Sequence, residues 1–172
     1  MKVLVTGGTG FTGKALVKRL LDEGHEVVSL DYKEGLKTDD LRKAGAEVVI
    51  GSVGDKEVVD KCMQGVDVVQ HLAAAFRELD VPNSYYDEIN VVGTRNVLEA
   101  AEKYNVKKVI YCSTCGVHGN VDNPPANEEA PINAADYYQQ TKYAAEPVVK
   151  EFADRGMKTV IIRPAAIYGP GY

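Results

Sequence analysis

Short apolar runs alternate with amphipathic stretches along this chain, and the alternation predicts strands and helices in turn. The runs typical of buried strands cover residues 2–5, 25–30, 47–50, 67–72, 107–112 and 158–163. Helical spacing of apolar positions follows at 14–24, 38–44, around 58–62, at 83–104 and at 134–153. Strands that alternate with helices are typical of an α/β protein with a doubly wound parallel sheet, and we expect strand order 3-2-1-4-5-6 with helices on both faces.

The glycine-rich segment from Val3 to Gly13 joins the first predicted strand to the first predicted helix. In a strand–turn–helix unit, Gly7 permits the tight turn, Gly10 lets the backbone approach a pyrophosphate, and Gly13 lets helix and strand pack closely. The unpaired N–H groups of the first helical turn then face the phosphate charge. The segment predicts a dinucleotide site; the alternative is a glycine-rich turn before an ordinary helix.

An acidic residue ends the second predicted strand, about twenty residues past the glycines. Asp31 is expected to accept hydrogen bonds from the adenosine ribose, and its charge would repel a 2′-phosphate, which favours NAD over NADP. Tyr32 and Lys33 are assigned to the same site, although Lys33 could instead pair with a 2′-phosphate. The alternative for Asp31 is an acid on a surface turn.

Small residues follow the fourth predicted strand, and a polar residue lies within the long helix predicted after it. Ala73, Ala74 and Ala75 follow the fourth strand and leave room for a ligand, or else they begin a helix. Asn90 interrupts an otherwise apolar helix face, where it either holds backbone or water near the site or faces solvent. That predicted apolar face consists of Ile89, Val92, Val97, Leu98 and Ala101.

Candidate catalytic groups follow the fifth strand. Ser113 and Thr114 lie at its carboxyl end, where open α/β sheets bind ligands. Tyr138 and Lys142 are four residues apart and share a helix face, so a lysine ammonium is expected to lower the pKa of the phenol. Tyr138 would exchange a proton with a substrate oxygen that Thr114 holds. The alternative is an ordinary pair on a helix surface.

Composition narrows the class of protein. The chain has 172 residues, which suits one domain, and its net charge of −5 argues against a nucleic-acid partner. No long apolar run or targeting signal is visible, so we expect a cytoplasmic protein without a membrane partner. Three cysteines cannot form a disulfide framework. Cys112 and Cys115 lack the context of a redox or zinc site, and no metal is expected.

These motifs together resemble the extended short-chain dehydrogenase/reductase family, in its nucleotide-sugar epimerase and dehydratase branch, over nearly the whole chain. The matching segments are TGGTGFTG at 6–13, HLAA at 71–74, Asn90 with Gly93-Thr94, STCGVHG at 113–119, the Tyr138-x-x-x-Lys142 pair, and the RPxxVYGPG-like segment at 163–171. The resemblance implies that Thr114, Tyr138 and Lys142 are catalytic. It also implies a Rossmann-type fold with bound NAD, a nucleotide-sugar substrate and a homodimer formed by the helices that carry Asn90 and Tyr138.

The residues that we expect to bind the cofactor come from all parts of the chain. Its residues are Gly7, Thr9, Gly10, Phe11, Thr12, Gly13, Asp31, Tyr32, Lys33, Ser52, Val53, Leu72, Ala73, Ala74, Ala75, Asn90, Cys112, Ser113, Tyr138, Lys142 and Pro164. The sequence departs from the family pattern at Ser52, where an aspartate is common, and at His118, where a tyrosine is usual. We expect His118 to be neutral and hydrogen-bonded. Pro147 is expected to kink the catalytic helix one turn after Lys142.

Family members normally continue past the RPxxVYGPG-like segment into a smaller substrate-binding region. We therefore expect residues 1–172 to be a single cofactor-binding domain without that region. The leading hypothesis is an NAD-dependent epimerase or dehydratase of nucleotide sugars. The alternatives are a reductase of the dihydroflavonol or hydroxysteroid type, and a dinucleotide-binding module without catalysis.

Overall fold

Six parallel strands form one sheet in the computed structural model, which describes residues 1–35 and 38–170. They are β1 (Lys2–Thr6), β2 (Glu26–Asp31), β3 (Glu47–Ile50), β4 (Val68–His71), β5 (Lys108–Cys112) and β6 (Thr159–Ile162). Their order, β3-β2-β1-β4-β5-β6, confirms the predicted topology. Gly171, the last glycine of the RPxxVYGPG-like segment, and Tyr172 lie outside the described residues.

Helices cover both faces of the sheet. They are α1 (Phe11–Asp22), α2 (Thr38–Lys43), α3 (Lys56–Cys62), α4 (Asn83–Tyr86), α5 (Gly93–Lys103) and α6 (Tyr137–Asp154). One core lies between the sheet and the pair α1 and α2, and a larger core lies between the sheet and α3, α5 and α6. Within the described ranges, no helix is both long and apolar enough to cross a bilayer.

A π-helical segment, Asp87–Val92, interrupts the predicted helix over 83–104. A π turn holds more residues than an α turn, so it shifts the face on which the following side chains lie. Asn90 is completely buried, whereas Val92 is 48% exposed. The assignment of Val92 to the apolar face is therefore wrong, while Ile89, Val97, Leu98 and Ala101 are buried as predicted.

Helix α6 begins where the Asp136 side chain accepts a hydrogen bond from the backbone N–H of Gln139 at 2.7 Å. Such an N-cap satisfies one of the free donors of the first turn. The helix then continues without a break through Pro147 to Asp154. Because its buried side chains include Lys142 and Glu146, α6 carries ionisable groups from the candidate site into the protein interior.

Candidate functional site

The glycine turn between β1 and α1 is too tight for side chains at two positions. Gly7 adopts φ +71°, and a Cβ there would lie 2.9 Å from the backbone nitrogen of Ala73. A Cβ on Gly13 would lie 2.0 Å from the carbonyl oxygen of Gly7. The turn thus passes close to the chain beyond β4, and the first turn of α1 packs directly against it, as the glycine spacing predicts.

The carboxylate of Asp31 is positioned from the glycine turn. Its Oδ2 atom accepts hydrogen bonds from the backbone N–H and the hydroxyl of Thr9 at 3.0 and 2.8 Å. Its Oδ1 atom accepts from the backbone N–H of Tyr32 at 2.9 Å. A carboxylate has about four lone-pair sites. Asp31 therefore keeps capacity for a further donor, such as a ribose hydroxyl.

Asn90 holds the chain segment that follows β4. Its side chain accepts from the backbone N–H of Ala75 at 2.8 Å and donates to the carbonyl of Ala75 at 3.2 Å. It also donates to the hydroxyl of Thr141 on α6 at 2.9 Å. Asn90 thus links this segment to the helix of the candidate catalytic residues, which agrees with the first of its two predicted roles.

The end of β4 is fixed by a buried histidine. His71 Nδ1 lies 2.6 Å from the hydroxyl of Thr6, and Nε2 lies 2.9 Å from the hydroxyl of Thr94. Burial lowers the pKa of His71 to about 3, so the ring is neutral. The Thr6 hydroxyl accepts from the backbone N–H of Ala73 and donates to Nδ1, which leaves Nε2–H to donate to Thr94.

The hydroxyl groups of Thr114 and Tyr138 line one cavity. The Thr114 oxygen accepts from the backbone N–H of Gly116 at 3.1 Å, so its hydrogen is free to donate to a ligand. The predicted lowering of the Tyr138 pKa is wrong for this structure. Burial, together with the nearby Cys112 and Asp136, raises the pKa of Tyr138 to about 12, because the loss of solvent disfavours the phenolate.

The ammonium of Lys142 has no hydrogen-bond partner among the described residues, although the residue is only 1% exposed. Its Nζ atom lies 4.4 Å from the centroid of the Tyr111 ring. Burial lowers the pKa of Lys142 to about 8. A buried ammonium without acceptors is costly. The unpaired donors therefore suit a ligand that brings hydroxyl oxygens to this position, as a ribose does.

A buried ion pair lies behind the candidate catalytic residues. Glu146, one turn after Lys142, is fully buried and accepts from Arg163 Nε and Nη2 at 2.9 and 2.6 Å. It also accepts from the hydroxyl of Ser113 at 2.6 Å. Burial by itself raises the pKa of Glu146, but the hydrogen bonds from Arg163 and Ser113 bring that pKa below its usual value. Ser113 is thus committed to Glu146, which leaves Thr114 as the hydroxyl available to a substrate.

His118 belongs to the same network. Arg163 Nη1 lies 3.0 Å from His118 Nε2, and His118 Nδ1 lies 3.2 Å from the carbonyl oxygen of Pro131. Because the guanidinium can only donate, Nε2 accepts and Nδ1–H donates to Pro131. His118 is therefore a neutral, hydrogen-bonded ring, as predicted.

Two cavities, of about 280 and 560 Å³, meet at the glycine turn, where they share Gly7, Gly10, Leu72 and Ala74. The smaller contains Asp31 and the larger contains Tyr138, so together they form one continuous groove along the carboxyl edge of the sheet. Of the predicted site residues, Asn90 and Lys142 line neither cavity, and all the others line at least one. Asn90 acts instead through Ala75.

Three of the lining residues that sequence reasoning missed follow the three alanines. Phe76 and Arg77 line the larger cavity, and Glu78 lines the smaller one. The Phe76 ring lies 4.7 Å from that of Tyr138, measured between centroids. No motif marks this segment. Glu146 was also missed, although its position four residues after Lys142 places it on the same helix face and was available as a signal.

Comparisons with known proteins agree with this geometry. The family model described as "NAD dependent epimerase/dehydratase family" matches residues 3–172. UDP-glucose 4-epimerase of Mycolicibacterium smegmatis is 35% identical over 99% of this chain and 57% of its own length. A 3 beta-hydroxysteroid dehydrogenase/Delta 5-->4-isomerase of Mycobacterium tuberculosis is 36% identical over 99% of the chain and 48% of its own length.

A solved structure shows the same fold. The Thermus thermophilus UDP-glucose 4-epimerase in complex with NAD superposes with a TM-score of 0.88 at 34% identity, over 99% of this chain and 57% of that one. This chain spans about half the length of the curated relatives that it matches.

Proposed function

Since this chain belongs to the NAD-dependent epimerase/dehydratase family, we propose that it binds NAD and supplies the proton-transfer groups of an enzyme that oxidises a hydroxyl of a nucleotide sugar. The observation that carries the proposal is the continuous groove, with Asp31 in one cavity and Tyr138 in the other. The epimerase relatives support a nucleotide sugar as substrate. The homodimer and the cytoplasmic location stay predictions.

The residues that line the groove and those buried behind it have distinct tasks in this proposal. Asp31 would accept hydrogen bonds from the adenosine ribose, and Lys142 would donate to the second ribose. Bound NAD supplies the acceptor and donor of a hydride. Thr114 donates a hydrogen bond to the reacting substrate oxygen, and Tyr138 exchanges a proton with that same oxygen. Glu146 and Ser113 keep the strand end and α6 together behind these groups.

A first prediction concerns the choice between NAD and NADP. We expect calorimetric titration of this protein to show NAD bound at least about tenfold more tightly than NADP, because two carboxylates, Asp31 and Glu78, line the smaller cavity. The variant Asp31→Asn keeps a side chain of similar shape but removes its negative charge. It should therefore reduce the difference between the affinities for NAD and NADP. Equal affinity for both cofactors, or tighter binding of NADP, would contradict the role of Asp31.

A second prediction concerns pH. The pKa of Lys142 is about 8 without a partner, and hydrogen bonds from its ammonium to a ribose would raise that pKa. Binding would then take up a proton above pH 8, so the affinity for NAD should fall by up to about tenfold per pH unit there. The variant Lys142→Met should bind more weakly at pH 7 and show a flat profile between pH 7 and 9.5. A wild-type affinity for NAD that stays constant between pH 7 and 9.5 would argue against hydrogen bonds from the Lys142 ammonium to the ribose.

A reductase or dehydrogenase that releases its cofactor is the second candidate, since a hydroxysteroid dehydrogenase is 36% identical to this chain and the epimerase of Mycolicibacterium smegmatis is 35% identical. The two classes differ in what happens to the cofactor. A reductase consumes one reduced cofactor in each turnover and must release the oxidised form, whereas an epimerase regenerates its NAD in each cycle. Protein that is purified with stoichiometric NAD bound favours the epimerase, and stoichiometric consumption of added NADH or NADPH favours the reductase.

A further inference from the structure

The segment that follows β4 lines both cavities and places Arg77 between two anchored residues. On one side, Ala75 is held by Asn90 through both its N–H and its carbonyl. On the other, the hydroxyl of Tyr86 contacts both the N–H and the carbonyl of Glu78, at 3.1 and 3.4 Å. Arg77 therefore has a defined backbone position.

That backbone position is strained. Arg77 has φ +53°, in the left-handed region that residues with a long side chain seldom adopt. Such conformations persist only where the surrounding contacts impose them, and they are common at binding sites. The hydrogen bonds to Ala75 and Glu78 are contacts of that kind, and Arg77 is an exposed residue that lines the larger cavity.

Arg77 also differs from the other arginines in its partners. Arg19, Arg42, Arg95, Arg155 and Arg163 each form an ion pair with a carboxylate. Arg77 makes no hydrogen bond or ion pair with any described residue. Its guanidinium carbon lies 5.0 Å from the centroid of Phe76, whose ring packs on Tyr138. A guanidinium over a ring face keeps N–H donors free at its edge.

The larger cavity is lined by one charged group, the guanidinium of Arg77, within the described part of the chain. The first turn of α1, with Phe11, Thr12 and Gly13, lines the same cavity. A helix N-terminus attracts anions through its dipole. The cavity therefore joins two anion-attracting features, one of which carries a full charge.

We propose that Arg77 binds a diphosphate group in the larger cavity. The inference rests on the proposed function, because a diphosphate occurs both in NAD and in a nucleotide-sugar substrate. Guanidinium groups bind phosphate oxygens through paired N–H donors, which suits this unpaired and positioned side chain. Arg77 thereby favours ligands that carry a diphosphate over ligands without one.

The test uses inorganic pyrophosphate as a probe that needs no bound NAD. The variant Arg77→Asn removes the charge but keeps a residue type that tolerates positive φ. The control, Arg19→Gln, removes the same charge from a surface ion pair at the far end of α1. Each protein is titrated at low ionic strength, because salt screens such contacts. We expect Arg77→Asn to bind pyrophosphate at least about tenfold more weakly than wild type, and the control to change by less than about twofold.

Two further titrations identify the source of the diphosphate. If Arg77→Asn weakens NAD binding about tenfold, the group belongs to the dinucleotide. If NAD binding is unchanged but UDP binds the NAD-saturated variant about tenfold more weakly than the NAD-saturated wild type, the group belongs to the substrate. Equal pyrophosphate affinity in Arg77→Asn and wild type overturns the inference. Failure of the wild type to bind NAD, with pyrophosphate binding still dependent on Arg77, would instead refute the proposed function.

Discussion

We expect turnover to fall by about two to four orders of magnitude when Tyr138 is replaced by phenylalanine, whereas the affinity for NAD should change by less than about threefold. This is the first expected result. The substitution removes only the phenol oxygen, which is the atom proposed to exchange a proton with the substrate. It leaves the ring in place, so the contact of Tyr138 with Phe76 persists.

The measurement is steady-state conversion of UDP-glucose, the substrate named for the epimerase relatives, by this protein. Tyr137→Phe provides a matched control, because the hydroxyl of Tyr137 donates to Asp87 at 2.7 Å and does not line the cavity. The control should retain most of the activity. A Tyr138→Phe protein with more than about a tenth of the wild-type turnover would exclude Tyr138 as the main acid–base group.

The raised pKa of Tyr138 adds a pH dependence to this result. With a pKa near 12, the hydroxyl is protonated at neutral pH and ready to donate to a carbonyl oxygen. Oxidation of a hydroxyl needs the phenolate, whose fraction rises about tenfold per pH unit below that pKa. We therefore expect kcat for oxidation by the NAD-loaded enzyme to rise with pH between 7 and 9.

The second large effect is on stability. We expect Glu146→Ala to lower the free energy of unfolding by about 3–5 kcal/mol, because it leaves a mostly buried guanidinium without its carboxylate. Glu146 accepts both donors of Arg163 and the hydroxyl of Ser113. Its side chain is 0% exposed, and that of Arg163 is only 14% exposed. Removal of one member of such a pair leaves the other charge buried without a partner.

Urea denaturation followed by circular dichroism measures this change. Glu151→Ala is a matched control on the same helix, since Glu151 pairs with Arg95 at a position where both side chains are more than 40% exposed. The control should lose less than about 1 kcal/mol, because surface pairs are screened by solvent. A loss below about 1 kcal/mol for Glu146→Ala would show that water replaces the carboxylate.

Local patterns were enough to predict the fold. Each strand is a short apolar run, and the alternation of such runs with helices predicts six parallel strands in the order 3-2-1-4-5-6, as observed. The glycine spacing also predicted the turn at Gly7 and the close packing at Gly13. The packing of Gly13 against Gly7 depends on residues that are near one another in the sequence.

Other features depend on groups that only the folded chain brings together. Arg163 donates a hydrogen bond to Glu146, which is 17 residues away in the sequence, and Asn90 donates one to Thr141, which is 51 residues away. Val92 turned outward because of a π-helical segment, which the apolar spacing does not reveal. The direction of the Tyr138 pKa shift was predicted wrongly, since the sequence places a lysine nearby but does not show how deeply the phenol is buried.

The sequence by itself therefore determined the topology, the glycine turn and the identity of the residues that meet along one sheet edge. The tertiary structure decided which of those residues are free to act. It commits Ser113 to Glu146, and within residues 1–35 and 38–170 it gives neither the Lys142 ammonium an acceptor nor Arg77, which lies beside the ring of Phe76, a hydrogen-bond partner. The physical reason is that pattern and spacing report local geometry, whereas burial and hydrogen-bond pairing depend on every element packed around a group.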